Sequence, residues 1–200
     1  MISMQTNIPP ITRITRMIML LISFLLFSAC STVQYKGVKY DANKKVTLVS
    51  AITSAEQHKI LALQQAILSL GADIDPQEAY FVAREGVMYP MVLSNKYRLV
   101  SPPLWQNVLV NYGYRKNGLC WQWTRDMGKQ LGKEPLRTLD FHHAVAFRRN
   151  YWKEHSTLVV SAKGKKVGEG IVLDPWRNSG NLYWNFVKRD TKYPWVKFVD

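Results

Sequence analysis

A cysteine, a histidine and an aspartate in the second half of this 200-residue chain have side chains that can do chemistry together. Cys120 follows Gly118 at the predicted start of a helix, where the helix dipole and unpaired amide groups favour thiolate over thiol. The other cysteine, Cys30, lies near the N-terminus and is expected to be acylated. An unpaired thiol inside the domain is therefore a candidate nucleophile, although free cysteines are also common as small buried hydrophobic residues.

Two predicted strands, HSTLVVSA and GIVLD, carry the histidine and the aspartate. They are joined by the Gly- and Lys-rich segment SAKGKKVGEG. A two-residue turn at Gly164 and Lys165, with glycine at the first central position, places His155 directly opposite Asp174 on one face of the hairpin. Their Cβ atoms are then about 4.5–5.5 Å apart, the distance at which a carboxylate orients an imidazole. A longer turn or a bulge in the same segment would slip this register.

The elements that must position these residues are helices in the first part of the domain and strands in the second. Helices are predicted from Thr53 or Ser54 to Gly71, from Asp75 and Pro76 onward, from Ser101 and Pro102 to Gly113, and from Gly118 to Gly132. Beyond them the apolar period changes from 3.6 to 2 in the segments TLDFHHAVAF, HSTLVVSA, GIVLD and NLYWNFV. Helices followed by an antiparallel sheet make a single α+β domain over residues 51–200.

A thiol at a helix start, a histidine on a strand and an acid on the next strand have the order found in papain-like and transglutaminase-like cysteine enzymes. The segments GLCWQW, EHSTLVV and VLDPW resemble that family, and LDPW is similar to the aspartate-proline end of transglutaminase-like domains. The resemblance implies a papain-like or transglutaminase-like fold and a catalytic triad of Cys120, His155 and Asp174. In that family the histidine takes the thiol proton, the acid fixes the imidazole tautomer, and the thiolate attacks an acyl carbon.

Other side chains compete for roles in this site. His143, beside His142 on the preceding strand, is the alternative base if its side chain faces the thiol. Gln122 is a candidate donor to an oxyanion beside the Cys120 amide, although its helical position favours a surface role. One cysteine with three histidines lacks the paired spacings of structural zinc sites, such as CxxC. We therefore expect no metal and no other cofactor.

The N-terminus has the pattern of an export signal. Residues 17–29, MIMLLISFLLFSA, form an apolar run that follows two arginines and is too short to span a bilayer. The boundary FSAC resembles the lipobox of bacterial lipoproteins, in which the cysteine is acylated and becomes the mature N-terminus. The resemblance implies that residues 1–29 are removed and that Cys30 is lipidated. An ordinary cleaved signal or an uncleaved anchor is the alternative.

The chain after the signal is expected to reach its domain through a tether over residues 30–50, which has weak periodicity and ends in a short extended segment. In Gram-negative lipoproteins an aspartate after the lipidated cysteine commonly marks inner-membrane retention. Ser31 stands at that position here, so the resemblance implies the periplasmic face of the outer membrane.

Composition and charge exclude several classes of protein. Hydrophobic residues make up 47% of the chain and charged residues 20%, which argues against disordered, collagenous and coiled-coil proteins. The net charge of +13 comes from 27 Lys and Arg against 14 Asp and Glu. Because these cations are scattered and the chain carries an export signal, we expect no nucleic-acid partner. A basic envelope protein instead meets lipid phosphates and cell-wall carboxylates.

The C-terminal aromatic residues form either a sugar-stacking platform or, as we expect, core and sheet cover: Tyr183, Trp184, Phe186, Tyr193, Trp195 and Phe198. The sequence thus predicts an envelope lipoprotein that hydrolyses or transfers acyl groups at peptide or amide bonds. Cell-wall peptides are the nearest substrate class, and an envelope protein is a further one. A lipoprotein that keeps the fold but only binds a partner or supports assembly is the alternative. The sequence does not set the oligomeric state.

Overall fold

The structure, a computed structural model, describes Thr15, Met17, Ile18 and residues 31–199. The predicted cleavage after residue 29 and the predicted lipidation of Cys30 lie outside the described residues. In the described part of the chain, no helix is both long and apolar enough to cross a membrane.

Within residues 31–199 the helices and strands alternate in blocks. The helices are α1 (Ser54–Leu68), α2 (Pro76–Tyr97), α3 (Pro103–Asn111) and α4 (Cys120–Leu131). The strands are β1 (Ser31–Thr32), β2 (Val38–Asp41), β3 (Val46–Val49), β4 (Val100–Ser101), β5 (Leu139–Ala146), β6 (His155–Ala162), β7 (Ile171–Asp174), β8 (Tyr183–Phe186) and β9 (Val196–Lys197).

The helix starts follow local capping chemistry. At α1 the Thr53 hydroxyl accepts the N–H of Glu56 at 3.2 Å, and the Glu56 carboxylate accepts the N–H of Thr53 at 2.7 Å. At α2 the cap is Asp75 and the first helical residue is Pro76, as predicted. The third helix begins one residue later than predicted, because Ser101 is taken up by strand β4.

The main sheet is antiparallel, with strand order β8-β7-β6-β5-β9. Helices α1, α2 and α4 cover one face and form the larger core, which includes Ile60, Leu63, Met88, Met127, Leu158 and Leu173. The chain from β8 to β9 covers the opposite face with a smaller core, which includes Ala144, Val159, Val172 and Trp195. The predicted class, a mixed α+β domain with an antiparallel sheet, is confirmed.

Residues 31–49, expected to form most of a tether, are folded against the domain. Ser31 pairs with Ser101 in the short β1–β4 ladder, and β2 pairs with β3. The N–H and hydroxyl of Thr47 both donate to the Glu85 carboxylate of α2, at 2.9 and 2.8 Å, and both residues are fully buried. The weak periodicity of this segment hides its structure, because β1 pairs with the distant strand β4 and the β2–β3 hairpin is held by Glu85 of α2.

The pairing of β6 with β7 differs from the predicted register. Leu158 pairs with Leu173, and the connection is longer than two residues because it contains a 3-10 turn. Extending this pairing by one residue places Asp174 opposite Thr157, two positions from His155. Since side chains alternate faces with a period of two, a slip of two residues leaves the histidine and the aspartate on the same face. They are diagonal neighbours instead of directly opposed ones.

Candidate active site

The three residues singled out by type and spacing meet at one end of helix α4. His155 Nε2 lies 2.6 Å from Asp174 Oδ2, and both side chains are almost fully buried. The thiol of Cys120, the first residue of α4, is half-buried and lies close enough to the same imidazole to help raise its pKa. Because Nε2 is occupied by the carboxylate, Nδ1 is the ring nitrogen left for the thiol. The imidazole therefore lies between an acid and a nucleophile.

The electrostatics of His155 favour a protonated ring. Burial by itself lowers the pKa of this imidazole, because the protein interior solvates a cation poorly. The charge of Asp174, the hydrogen bond to it and the contact with Cys120 act in the opposite direction and outweigh burial. The result is a pKa raised to about 9, so the ring carries a positive charge at neutral pH. A cation at this position stabilises negative charge on the neighbouring sulfur.

The loop before Cys120 is held by the side chain of Gln122. Its Oε1 accepts the N–H groups of Gly118 and Leu119 at 2.8 and 3.0 Å, and its Nε2 donates to the Lys116 carbonyl at 3.0 Å. The amide is thus engaged at both ends, and the side chain is buried. Gln122 is therefore neither a surface residue nor an oxyanion donor. It positions the helix start that presents the thiol.

Gly118 shows how tightly this loop is packed. Its φ of +127° lies in the region that favours glycine, and a Cβ atom there would lie 2.5 Å from Cγ of Gln106. The fully buried Gln106 donates from Nε2 to the Asn117 carbonyl at 2.7 Å, and Trp123 Nε1 donates to the Gly118 carbonyl at 3.1 Å. Helix α3 and helix α4 together fix the backbone that leads into Cys120.

Asp174 is held by an ion-pair network of Arg177 and Asp190. Arg177 donates from Nε to Asp174 Oδ2 at 3.2 Å and from its terminal nitrogens to the Asp190 carboxylate at 3.0 and 2.8 Å. Trp195 Nε1 donates to Asp190 Oδ2 at 2.9 Å. Placed between two carboxylates, the guanidinium has a raised pKa despite its burial. The Arg177 side chain is therefore turned inward and orients the acid.

Aromatic rings enclose His155. The ring centroids of Trp176, Tyr193 and Trp195 lie 4.6, 5.0 and 5.5 Å from that of the imidazole. Trp184 and Phe186 pack against the larger core, and Phe198 stacks on His143. The C-terminal aromatic residues thus mainly cover the sheet and enclose the imidazole, as expected from their number in a small domain.

His143, the alternative base, lies elsewhere. It stacks on the Phe198 ring with centroids 4.5 Å apart, and on the sheet it pairs with Leu158. Ala146, three residues further along β5, is the residue that pairs with His155. An offset of three residues along a strand reverses the face, so His143 and His155 point to opposite sides. The structure brings His155, and not His143, to the thiol.

In the part of the chain that the structure describes, the other histidines are not grouped with enough further side chains of the kinds that bind metal ions to hold one. His142 Nε2 lies 2.8 Å from the hydroxyl of Ser161, and His58 is exposed on α1. Among the described residues, no three His, Cys, Asp or Glu side chains are grouped so that they could hold a metal ion.

Cys120 faces two adjoining cavities of about 820 and 570 Å³. Asn107, on helix α3, lines both cavities together with the cysteine. Its Oδ1 accepts the indole N–H of Trp176 at 3.1 Å, so the donor group of its amide is Nδ2. Sequence reasoning missed Asn107, because nothing near it in the chain indicates that α3 comes to the start of α4.

Comparison of the chain with models of known protein families, with curated proteins and with solved structures finds no match in any of the three.

Proposed function

We propose that this chain is a cysteine hydrolase or acyltransferase that acts on peptide or amide bonds. The observation that carries the proposal is the buried imidazole of His155, which contacts the Cys120 thiol on one side and lies 2.6 Å from the Asp174 carboxylate on the other. A nucleophile, a base and an orienting acid in this order support acyl-transfer chemistry. The helix-then-sheet arrangement supports a papain-like or transglutaminase-like domain.

In the first half of the reaction the Cys120 sulfur attacks the carbonyl carbon of the substrate and a carbon–sulfur bond forms. The carbonyl oxygen becomes an oxyanion. The backbone N–H of Cys120 has no partner within its helix, since it belongs to the first turn, and it can donate to this oxygen together with Nδ2 of Asn107. The carbon–nitrogen bond then breaks while the His155 imidazolium gives its proton to the leaving amine. A thioester on Cys120 and a free amine remain.

In the second half water or another amine attacks the thioester. His155 accepts the proton of that nucleophile, the carbon–sulfur bond breaks, and the thiolate and imidazolium are restored. Attack by water gives hydrolysis, and attack by an amine gives acyl transfer. Throughout both steps Asp174, held by Arg177, keeps the imidazole oriented with Nδ1 toward the sulfur.

The proposal places this chemistry at the cell envelope. The apolar run before FSAC supports lipidation of Cys30, and Ser31 supports the periplasmic face of the outer membrane. Cell-wall peptides or envelope proteins are then the acyl donors within reach. No cofactor is required by these steps.

The direct test is alkylation of Cys120 in the full chain by iodoacetamide, located by mass spectrometry. We expect Cys120 to react at pH 7 faster than a free model thiol. His155→Ala should slow the alkylation of Cys120. The rate should recover only at raised pH, because a free cysteine has a pKa near 8.5. The exposed His58→Ala is the matched control and should leave the rate unchanged.

A second experiment separates catalysis from the alternative function, in which the domain only binds an envelope partner or supports assembly. Cys120→Ala, at matched protein level, should fail to complement a deletion strain. Full rescue by Cys120→Ala, together with a thiol that reacts no faster than a free one, would establish the binding protein instead.

A further inference from the structure

Exposed hydrophobic side chains surround the larger cavity beside Cys120. They come from three separate segments and form what we call the rim: Leu104, Val108, Trp121, Tyr151 and Trp152. Tyr151 and Trp152 are 83% and 88% exposed, and Leu104 is 66% exposed. Soluble monomers rarely expose contiguous apolar patches of this kind unless a partner covers them.

The rim is accompanied by positive charge. Arg149 lines the larger cavity and Lys153 lines the smaller one, both from the loop that carries Tyr151 and Trp152. From Ser101 to Arg125 the sequence contains no Asp or Glu, and in the loop over residues 147–154 the single acid is Glu154. Its carboxylate accepts the backbone N–H of Arg149 at 2.6 Å, so it serves the loop itself. Aromatic residues interspersed with cations match the interface of an anionic bilayer.

The path of the chain brings the rim close to the membrane attachment that we propose for the N-terminus. Ser31 pairs with Ser101, and Leu104 follows only three residues later, a span of at most about 11 Å. The apolar run of residues 17–29 and Cys30 immediately precede Ser31 in the sequence. Whether acyl groups on Cys30 or the apolar run itself hold the chain, it enters the described fold at Ser31, beside the strand that leads into α3 and the rim.

We propose that the rim is a membrane-docking face, which inserts its Trp, Tyr and Leu side chains into the interface of an anionic lipid bilayer. The cations beside it contact the lipid phosphates. The larger cavity then opens at the lipid surface, and acyl donors reach Cys120 from the membrane-proximal layer. The docking rests on the membrane attachment proposed above for the N-terminus, and it does not depend on the reactivity of the thiol.

The test uses the full chain reconstituted into phosphatidylcholine–phosphatidylglycerol vesicles whose acyl chains carry bromine, which quenches nearby tryptophan fluorescence. We expect quenching in the wild-type protein, and loss of most of it in the double variant Trp121→Tyr with Trp152→Tyr. Trp184→Tyr is the matched control, because Trp184 packs against the larger core from β8 and should not contribute to quenching. Thermal unfolding curves check that the variants are folded.

Three outcomes decide the proposal. Equal fractional quenching in the wild type and in the double variant would overturn it, because the rim would then lie away from the lipid. Quenching that is unchanged by salt or by removal of phosphatidylglycerol would also overturn it, since the cations would not contact the bilayer. Absence of quenching, combined with slower capture of a soluble peptide by the double variant, would assign the rim to a protein substrate. Cys120→Ala should keep the wild-type quenching even if the proposed enzymatic function fails.

Discussion

Replacing Asp174 with asparagine removes the negative charge that keeps His155 protonated and leaves a side chain of nearly the same shape. In the wild-type protein Asp174 Oδ2 lies 2.6 Å from the imidazole and accepts a hydrogen bond from Arg177 at 3.2 Å. After Asp174→Asn the burial of the ring remains, and the Arg177 cation loses one of its two carboxylate partners and keeps Asp190. Burial and the nearby Arg177 cation both disfavour a positive charge on the His155 ring.

The size of the effect follows from the pKa of His155, which is raised to about 9. At pH 8 about nine in ten rings of the wild-type protein are therefore protonated. With Asp174→Asn the pKa is expected to fall to 6.5 or below, so that at most about three rings in a hundred are protonated at pH 8. The protonated population thus drops about 30-fold.

The assay is an NMR titration of the histidine rings in the full chain, which has four histidines. His155→Gln identifies the resonance of interest, and alkylation of Cys120 at pH 7 gives a chemical readout on the same variants. Asp140→Asn is the matched control, because Asp140 pairs with Lys163 on the same sheet at 2.7 Å, away from the thiol. If His155 titrates near pH 9 in both the wild type and Asp174→Asn, the electrostatic reasoning is wrong.

Further predictions concern the oxyanion, the loop, pH and anchoring. Asn107→Leu should lower kcat for an amide substrate by about 10²-fold with a smaller change in KM, as measured by steady-state kinetics. Gly118→Ala should lower the free energy of unfolding by about 1–3 kcal/mol in urea titrations, because of its φ of +127° and the close Gln106 side chain. Since the pKa of His155 rises from 6.5 to about 9 on folding, its stabilisation should be present below pH 6.5 and be lost as the pH rises through 9. Urea titrations of the wild type and His155→Gln should show a difference of up to about 3 kcal/mol that shrinks over this range. Cys30→Ser should leave the precursor uncleaved or release the protein from the membrane fraction, and a variant processed like the wild type would contradict lipidation.

Local chemistry explains which parts of the fold were predictable. The caps at Thr53 and Asp75 depend on residues within three positions in the chain, so their patterns could be recognised directly. The β6–β7 register was not predictable in detail, because the connection uses a 3-10 turn instead of a two-residue turn. The error did not affect which face His155 and Asp174 share, since the slip was an even number of residues.

Long-range contacts explain what was missed around the site. Gln106 and Asn107 lie on α3, and only the packing of α3 beside the start of α4 brings them to the thiol. Strand β1 likewise exists through its pairing with β4, about seventy residues away, as Ser31 pairs with Ser101. No apolar periodicity and no local sequence motif indicates either of these long-range contacts.

The sequence by itself determined the class of the domain and the first two helix starts, because side-chain periodicity and capping act over a few residues. It also indicated Cys120 and Asp174 as site candidates, with His155 or His143 as the base. Only the tertiary structure decided which histidine meets the thiol, what the Arg177 side chain does and where the hydrophobic rim lies relative to the N-terminal attachment. These depend on how strands curve and helices pack, and that packing is set by the burial of apolar surface from the whole chain.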